Sequence, residues 1–317
     1  MLYRSRTARS SRTRPAPAEV LAFHQGLADY APTPLHDVPA LADELGVGRV
    51  LVKDESRRLG LPAFKALGAW WAIHCALRPD TEELVTATDG NHGRAVARRA
   101  RLLGLRAHVF IPDVVGSAAI DAVRDEGATV TVLPISYDDA VVAAAESVTA
   151  GRLLIQDSAW PGYEEIPQLI VDGYSTLFHE IDVEPDLLVV PMGVGSVAQA
   201  AVAHCTNVLG VEPSSAACIT SSLLAGHPVT VETSSTVMAG LNCGTPSSLA
   251  WPVLRDGLHA SVTVEDPQAL QAVADLAALG ISSGPSGAAT LAGLRAARDS
   301  LNLSGDSTVV LISTEGR

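Results

Sequence analysis

Leu84-Val85-Thr86-Ala87-Thr88-Asp89-Gly90-Asn91-His92-Gly93 runs from a β-rich stretch into a polar turn with two glycines. The segment after it sets Arg94, Arg98 and Arg101 on one solvated face and stops at Gly104. A strand delivered into a helix through such a turn is the building unit of an open parallel sheet.

The alternation continues in both directions. Further β-rich runs lie at residues 50–52, 107–111, 129–133, 153–156, 187–191, 208–211 and 308–313. Helical segments with readable ends lie between them. Ser117 reads as an N-cap with Gly127 as the stop, and Ser136 with Asp139 reads as a capping box before an Ala/Val-rich helix ending near Gly151. The pattern predicts an α/β protein of mainly parallel sheet with helices on both faces. Residues 1–18 are expected to be a disordered basic arm, since Arg4, Arg6, Arg9, Arg12 and Arg14 alternate there with Ser and Thr.

Composition narrows the function. The 317 residues carry a net charge of −13, which gives the body of the protein no electrostatic case for nucleic acid. No apolar run approaches membrane-spanning length. Cys75, Cys205, Cys218 and Cys243 are scattered, which implies reduced thiols in a cytoplasmic protein and no metal site.

In open α/β sheets, ligands bind beyond the carboxyl ends of the strands. Four strand ends here are polar or glycine-rich: Thr88–Gly93, Asp157, Gly193-Val194-Gly195-Ser196, and Ser313-Thr314-Glu315-Gly316. Gly193-x-Gly195-x-x-Ala198, with Glu212 after the next strand, fits a dinucleotide fingerprint. Glycines ahead of a helix N-terminus equally form a nest for any phosphate. The loop therefore indicates a phosphate without saying which.

Lys65 supplies the second clue. It opens an uncharged segment, Ala66 to Leu77, that is apolar on every face and reads as a buried helix. Partial desolvation there would lower the lysine pKa and favour a nucleophilic amine that forms Schiff bases. A lysine snorkelling to water from a helix end is the plainer reading of the same residue. Plainer readings exist elsewhere too: Asp89 as a helix cap, Asp157 as a turn residue, His92 as structural, and Lys53 as ion-paired beside Asp54 and Glu55.

Phe64-Lys65 with Leu67-Gly68, followed by Thr88-Asp89-Gly90-Asn91-His92-Gly93, resembles the signature of fold-type II pyridoxal-phosphate enzymes, the tryptophan synthase β-like fold. Gly193–Ser196 stands where that family has its phosphate cup. Within it the chain is most similar to the diaminopropionate ammonia-lyases. The matching stretches include Val52-Lys53-Asp54-Glu55-Ser56-Arg57, Gln156-Asp157-Ser158-Ala159-Trp160 and Ile312-Ser313-Thr314-Glu315-Gly316. The pair Asp89 and Asp157 is the most specific part.

The resemblance implies two parallel-sheet α/β domains, a small one over 84–162 inserted between the halves 19–83 and 163–317 of a larger one. It also implies pyridoxal 5'-phosphate as cofactor and elimination of 2,3-diaminopropionate to pyruvate and ammonia. Phe64, Lys65, Asn91, Gly193, Val194, Gly195, Ser196 and Ser313 would bind the cofactor, with Asn91 on the ring hydroxyl and Ser313 on the ring nitrogen. Thr88, Asp89, Gly90 and His92 would bind the substrate. Lys65 would be the base at Cα, Asp89 a base on the opposite face, and Asp157 the support for the second amine. A small amino acid as the only ligand, a homodimer, and no nucleic-acid or membrane partner complete the expectation. Two alternatives stay open: replacement or deamination of another β-substituted amino acid, and a non-catalytic sensor that keeps the pocket. Two departures stand out. Gly284-Pro285-Ser286-Gly287-Ala288 carries proline where the lyases have an acidic residue, and Ala69-Trp70-Trp71 is bulky behind the lysine.

Overall fold

The computed structural model describes residues 1–5, 14–88 and 90–317. Eleven strands occur among them: β1 Leu2–Arg4, β2 Leu35–Asp37, β3 Arg49–Asp54, β4 Glu83–Ala87, β5 Arg106–Pro112, β6 Thr129–Leu133, β7 Arg152–Leu154, β8 Leu187–Pro191, β9 Val208–Pro213, β10 Ala260–Val264 and β11 Thr308–Ser313. They form two sheets. The larger has the order β1-β10-β9-β8-β11-β3-β2, and the smaller the order β6-β5-β4-β7.

Every pairing in the smaller sheet is parallel, as are those at the centre of the larger. The short strands β1 and β2 close its two edges antiparallel. Central strands such as β4 and β8 are buried along their whole length. A parallel strand covered by helices on both faces requires such a continuous apolar run.

Several expectations are corrected in detail. Leu2–Arg4 is a strand paired with β10, so the arm expected over 1–18 begins ordered. Arg14 forms an ion pair with Asp172, while Arg6, Arg9 and Arg12 lie outside the described residues. The helix Ser117–Arg124 has Gly116, not Ser117, at its N-cap and ends before Gly127. Ser136 does cap the helix Tyr137–Glu146, its hydroxyl accepting the Asp139 N–H. Lys53 is ion-paired, but to the distant Glu180 at 2.6 Å and not to its neighbours. That contact belongs to a buried cluster in which Arg58 binds both Glu55 and Glu180. Arg94, Arg98 and Arg101, expected on a solvated face, converge on the buried carboxylate of Glu126.

The helix Lys65–Ala76 is buried from Ala66 to Ile73, as its apolar faces require. It packs against the helix Glu165–His179 through two glycines. A Cβ on Gly68 would lie 2.6 Å from the Tyr174 ring, and one on Gly173 would lie 2.5 Å from the Leu67 carbonyl. The two backbones touch, which fixes where the head of the lysine helix points.

Gly173→Ala should therefore cost about 1–3 kcal/mol by overpacking against backbone that cannot yield. Gly116→Ala, where nothing lies within 4 Å of the new methyl, is the control. Thermal unfolding should show a lowered Tm for the first and little change for the second. Equal midpoints would mean that the helices separate at no cost.

Candidate active site

A cavity of about 280 Å³ opens at the carboxyl ends of β4, β8 and β11, where the polar strand ends converge. Its wall takes Phe64 and Lys65 from the head of the buried helix, Thr88 and Gly90–His92 from the turn after β4, and Asp157 from beyond β7. Gly193–Ser196 after β8, and Thr314 with Glu315 after β11, complete it.

Lys65 Nζ donates to Asp157 Oδ2 at 2.6 Å. Burial pulls the ammonium pKa down, as its sequence context suggests, but the Asp157 carboxylate outweighs burial and raises it above the ordinary lysine value. The expected lowering is thus reversed in the cofactor-free chain. Burial likewise pushes Asp157 up, and the Lys65 ammonium, with a hydrogen bond from Tyr137, overrides it, so the carboxyl stays ionised well below the usual range. Tyr137 Oη and Gln156 Nε2 both donate to Asp157 Oδ1 at 3.3 Å, which orients the carboxylate.

His92 faces the same group. Its Nε2 donates to the Ile155 carbonyl at 2.8 Å, since a carbonyl only accepts. Burial lowers its pKa and favours the neutral ring. Its Nδ1 lies 3.8 Å from Asp157 Oδ2. No group of three or more His, Cys, Asp or Glu among the described residues is placed to hold a metal ion.

The turn after β4 is built by Thr88. Its hydroxyl accepts the N–H groups of Gly90 and Gly93, at 2.9 and 3.0 Å. Gly90 holds φ +148, and a Cβ on Gly93 would strike the Thr88 methyl at 2.4 Å. Thr88 thus shapes with its side chain the turn whose backbone the resemblance assigns to the substrate carboxylate. Asp89 lies outside the described residues. Asn91 opens the helix Asn91–Leu103, and its Nδ2 donates to Glu315 Oε2 at 2.7 Å.

Gly193-Val194-Gly195 leads into the helix Ser196–His204. Gly195 adopts φ +105, and a Cβ there would meet Leu254 at 2.8 Å and Ala250 at 2.9 Å. A Cβ on Gly193 would come within 3.0 Å of the Cys243 sulfur. Two glycines before a helix N-terminus form an anion cradle, and the neighbours packed against both leave no room for a side chain. Ser196 Oγ donates to the Asp157 carbonyl at 3.0 Å, tying the cradle to the ion pair. A phosphate at one end and a lysine amine at the other fit pyridoxal phosphate.

Ser313 donates its hydroxyl to Ser283 Oγ at 2.8 Å and is followed by Thr314 in the cavity wall. Pro285 is the first residue of the helix Pro285–Ala297, a position that needs no N–H. The bulky pair behind the lysine turns into the core, with Trp70 Nε1 donating to the Ala95 carbonyl. Residue-by-residue reading missed Tyr137, Tyr174 and Glu315. Only Glu315 carried a signal, its place in a polar strand end. Burial pushes the Tyr174 phenol up to about 12, and burial raises Glu315 against the opposing pull of Ser286, Asn91 and Lys65.

The model of the pyridoxal-phosphate dependent enzyme family matches residues 27–315. A diaminopropionate ammonia-lyase of Salmonella typhimurium is 39% identical, over 78% of this chain and 72% of the relative. Another from Escherichia coli K12 is 35% identical, over 93% and 86%. The solved Escherichia coli diaminopropionate ammonia lyase in complex with D-serine superposes with a TM-score of 0.91 at 31% identity, covering 100% of this chain and 93% of that one. A T.th. threonine deaminase superposes with a TM-score of 0.80 at 26% identity, over 96% and 98%.

The ion pair has a pH signature in the cofactor-free protein. Asp157, depressed on folding, contributes stability above its unfolded pKa of about 4 and loses it as pH falls toward the folded value. The Tm gap between wild type and Asp157→Asn should be widest near neutrality and narrow as pH drops below about 4. A gap unchanged between about pH 7 and pH 3 would contradict the pairing.

Proposed function

We propose that this chain, which belongs to the pyridoxal-phosphate dependent enzyme family, catalyses α,β-elimination of 2,3-diaminopropionate to pyruvate and ammonia. The observation that carries this reading is an ionised Asp157 placed 2.6 Å from the cavity's lysine amine. The carboxylate is already matched to one ammonium, that of Lys65. When Lys65 is engaged with the cofactor, Asp157 is left for the second ammonium of a diamino acid.

Pyridoxal phosphate, when bound, supplies the electron sink for charge that develops at the substrate Cα. Lys65 Nζ would hold it, the backbone of Gly193–Ser196 would bind its phosphate, and Asn91 would meet its ring. The backbone of Asn91 and His92, in the first turn of their helix, would take the substrate carboxylate. Lys65 Nζ is then the base for the Cα proton. Asp157 acts through its charge, with the β-ammonium taking the place that the Lys65 ammonium holds in the ion pair. It pairs with the β-ammonium without taking its proton, so the group leaves as ammonia and not as an amide anion. The 2-aminoacrylate released takes up water and yields pyruvate and a second ammonia.

Asp89 keeps the role that the resemblance gives it, a base on the face that Lys65 does not reach. Residues 84–162 as a small domain, and a homodimer in the cytoplasm, belong to the same proposal.

Pyruvate release from each enantiomer of diaminopropionate tests the reading. Wild type should turn over at least one, and Asp89→Asn should lose one enantiomer, D, on the order of 10²-fold more than the other. Equal losses would remove Asp89 as a face-specific base. No pyruvate from either enantiomer would sink the elimination itself.

A further inference from the structure

We propose that Glu315 is a positioning residue that fixes the Asn91 amide at the cavity wall, reaching from the end of β11 to the turn after β4. The inference rests on the reading of Asn91 as a contact of the cofactor ring.

Glu315 is held from several sides. Its carbonyl accepts the Gly284 N–H at 2.9 Å, and it forms an isolated β-bridge with Ala63, two residues before Lys65. The side chain is anchored as firmly. Oε1 accepts the Ser286 backbone N–H at 3.1 Å, in the first turn of the helix Pro285–Ala297. Pro285 has no N–H to give, so Ser286 offers the first one of that helix. A Cβ on Gly284 would lie 2.8 Å from Oε1, so the glycine leaves room for the carboxyl. Glu315 thus brings a carboxyl to the cavity beside the segment where Pro285 replaces the lyases' acidic residue.

Its second oxygen does the positioning. Oε2 accepts Asn91 Nδ2 at 2.7 Å. With Oε1 occupied by a backbone donor, the carboxylate can only accept from Asn91, and this forces the amide nitrogen toward Glu315. The orientation of the remaining Nδ2 hydrogen and of Oδ1 follows. Glutamine at 315 would undo this without changing shape. Its oxygen must face the Ser286 N–H, which cannot turn. Its NH₂ then faces Asn91, whose amide must flip to present Oδ1.

The test is a double-mutant cycle of Glu315→Gln, Asn91→Ala and the pair, with two readouts. One is the pyridoxal-phosphate dissociation constant from tryptophan fluorescence, the other the position of the visible band of the reconstituted protein. Glu315→Gln should weaken cofactor binding on the order of tenfold and move the band. In the Asn91→Ala background the same change should add less than about twofold, because no amide remains to be turned. Effects that multiply in full would show Glu315 acting independently and overturn the proposal, as would wild-type binding by Glu315→Gln. Unchanged binding in Asn91→Ala would fail the reading of Asn91 itself, and the inference with it. Should Glu315→Gln not fold, Glu315→Asp, one methylene too short to span both donors, runs through the same cycle with the same outcomes.

Discussion

The ion pair between Lys65 and Asp157 is the contact on which the site depends. Removing both charges from water is costly, and losing one partner leaves the other stranded. The fold meets that constraint from both ends. Lys65 is aimed by a helix whose glycine contact with its neighbour allows little movement. Asp157 is oriented by Tyr137 and Gln156 and linked through its carbonyl to the phosphate cradle. Lys53 and Lys65 are the only lysines in the chain. Lys53 is fully buried and bound to Glu180 and the Thr33 carbonyl, so Lys65 alone offers an amine to the cavity.

Around that pair the remaining groups divide by task. Thr88 shapes a turn, Ser196 ties two loops together, and His92 stays neutral beside the carboxylate. The Thr88 contacts are local, whereas those of Ser196 and His92 join segments far apart in sequence, and each uses a side chain that could otherwise have met a ligand. A preorganised pocket needs such supporting contacts, because loosely held groups would lose the geometry for proton transfer.

Much of this was legible in the sequence. A fully apolar run at β8, the β-rich run at β4 and the polar strand ends after them announce a parallel sheet and its functional edge. Glycines before a helix announce an anion cradle. What stayed hidden depends on partners distant in the chain. β1 and β2 are three residues long and take their conformation from the strands they pair with. Ala260–Val264 is as long as β8 but mixes small and β-branched residues in place of a continuous large apolar run, and it is not read as a strand. The raised pKa of Lys65 could not be read from an apolar helix, because the carboxylate that reverses the effect of burial arrives 92 residues later. Nor does the sequence show that the Ser313 hydroxyl donates to Ser283, 30 residues earlier.

Borohydride reduction of the protein reconstituted with pyridoxal phosphate, followed by peptide mapping, tests the central claim most directly. The account predicts a yellow protein and one reduced adduct, on the peptide carrying Lys65 and absent from Lys65→Ala. An adduct on Lys53, or none at all, would contradict it.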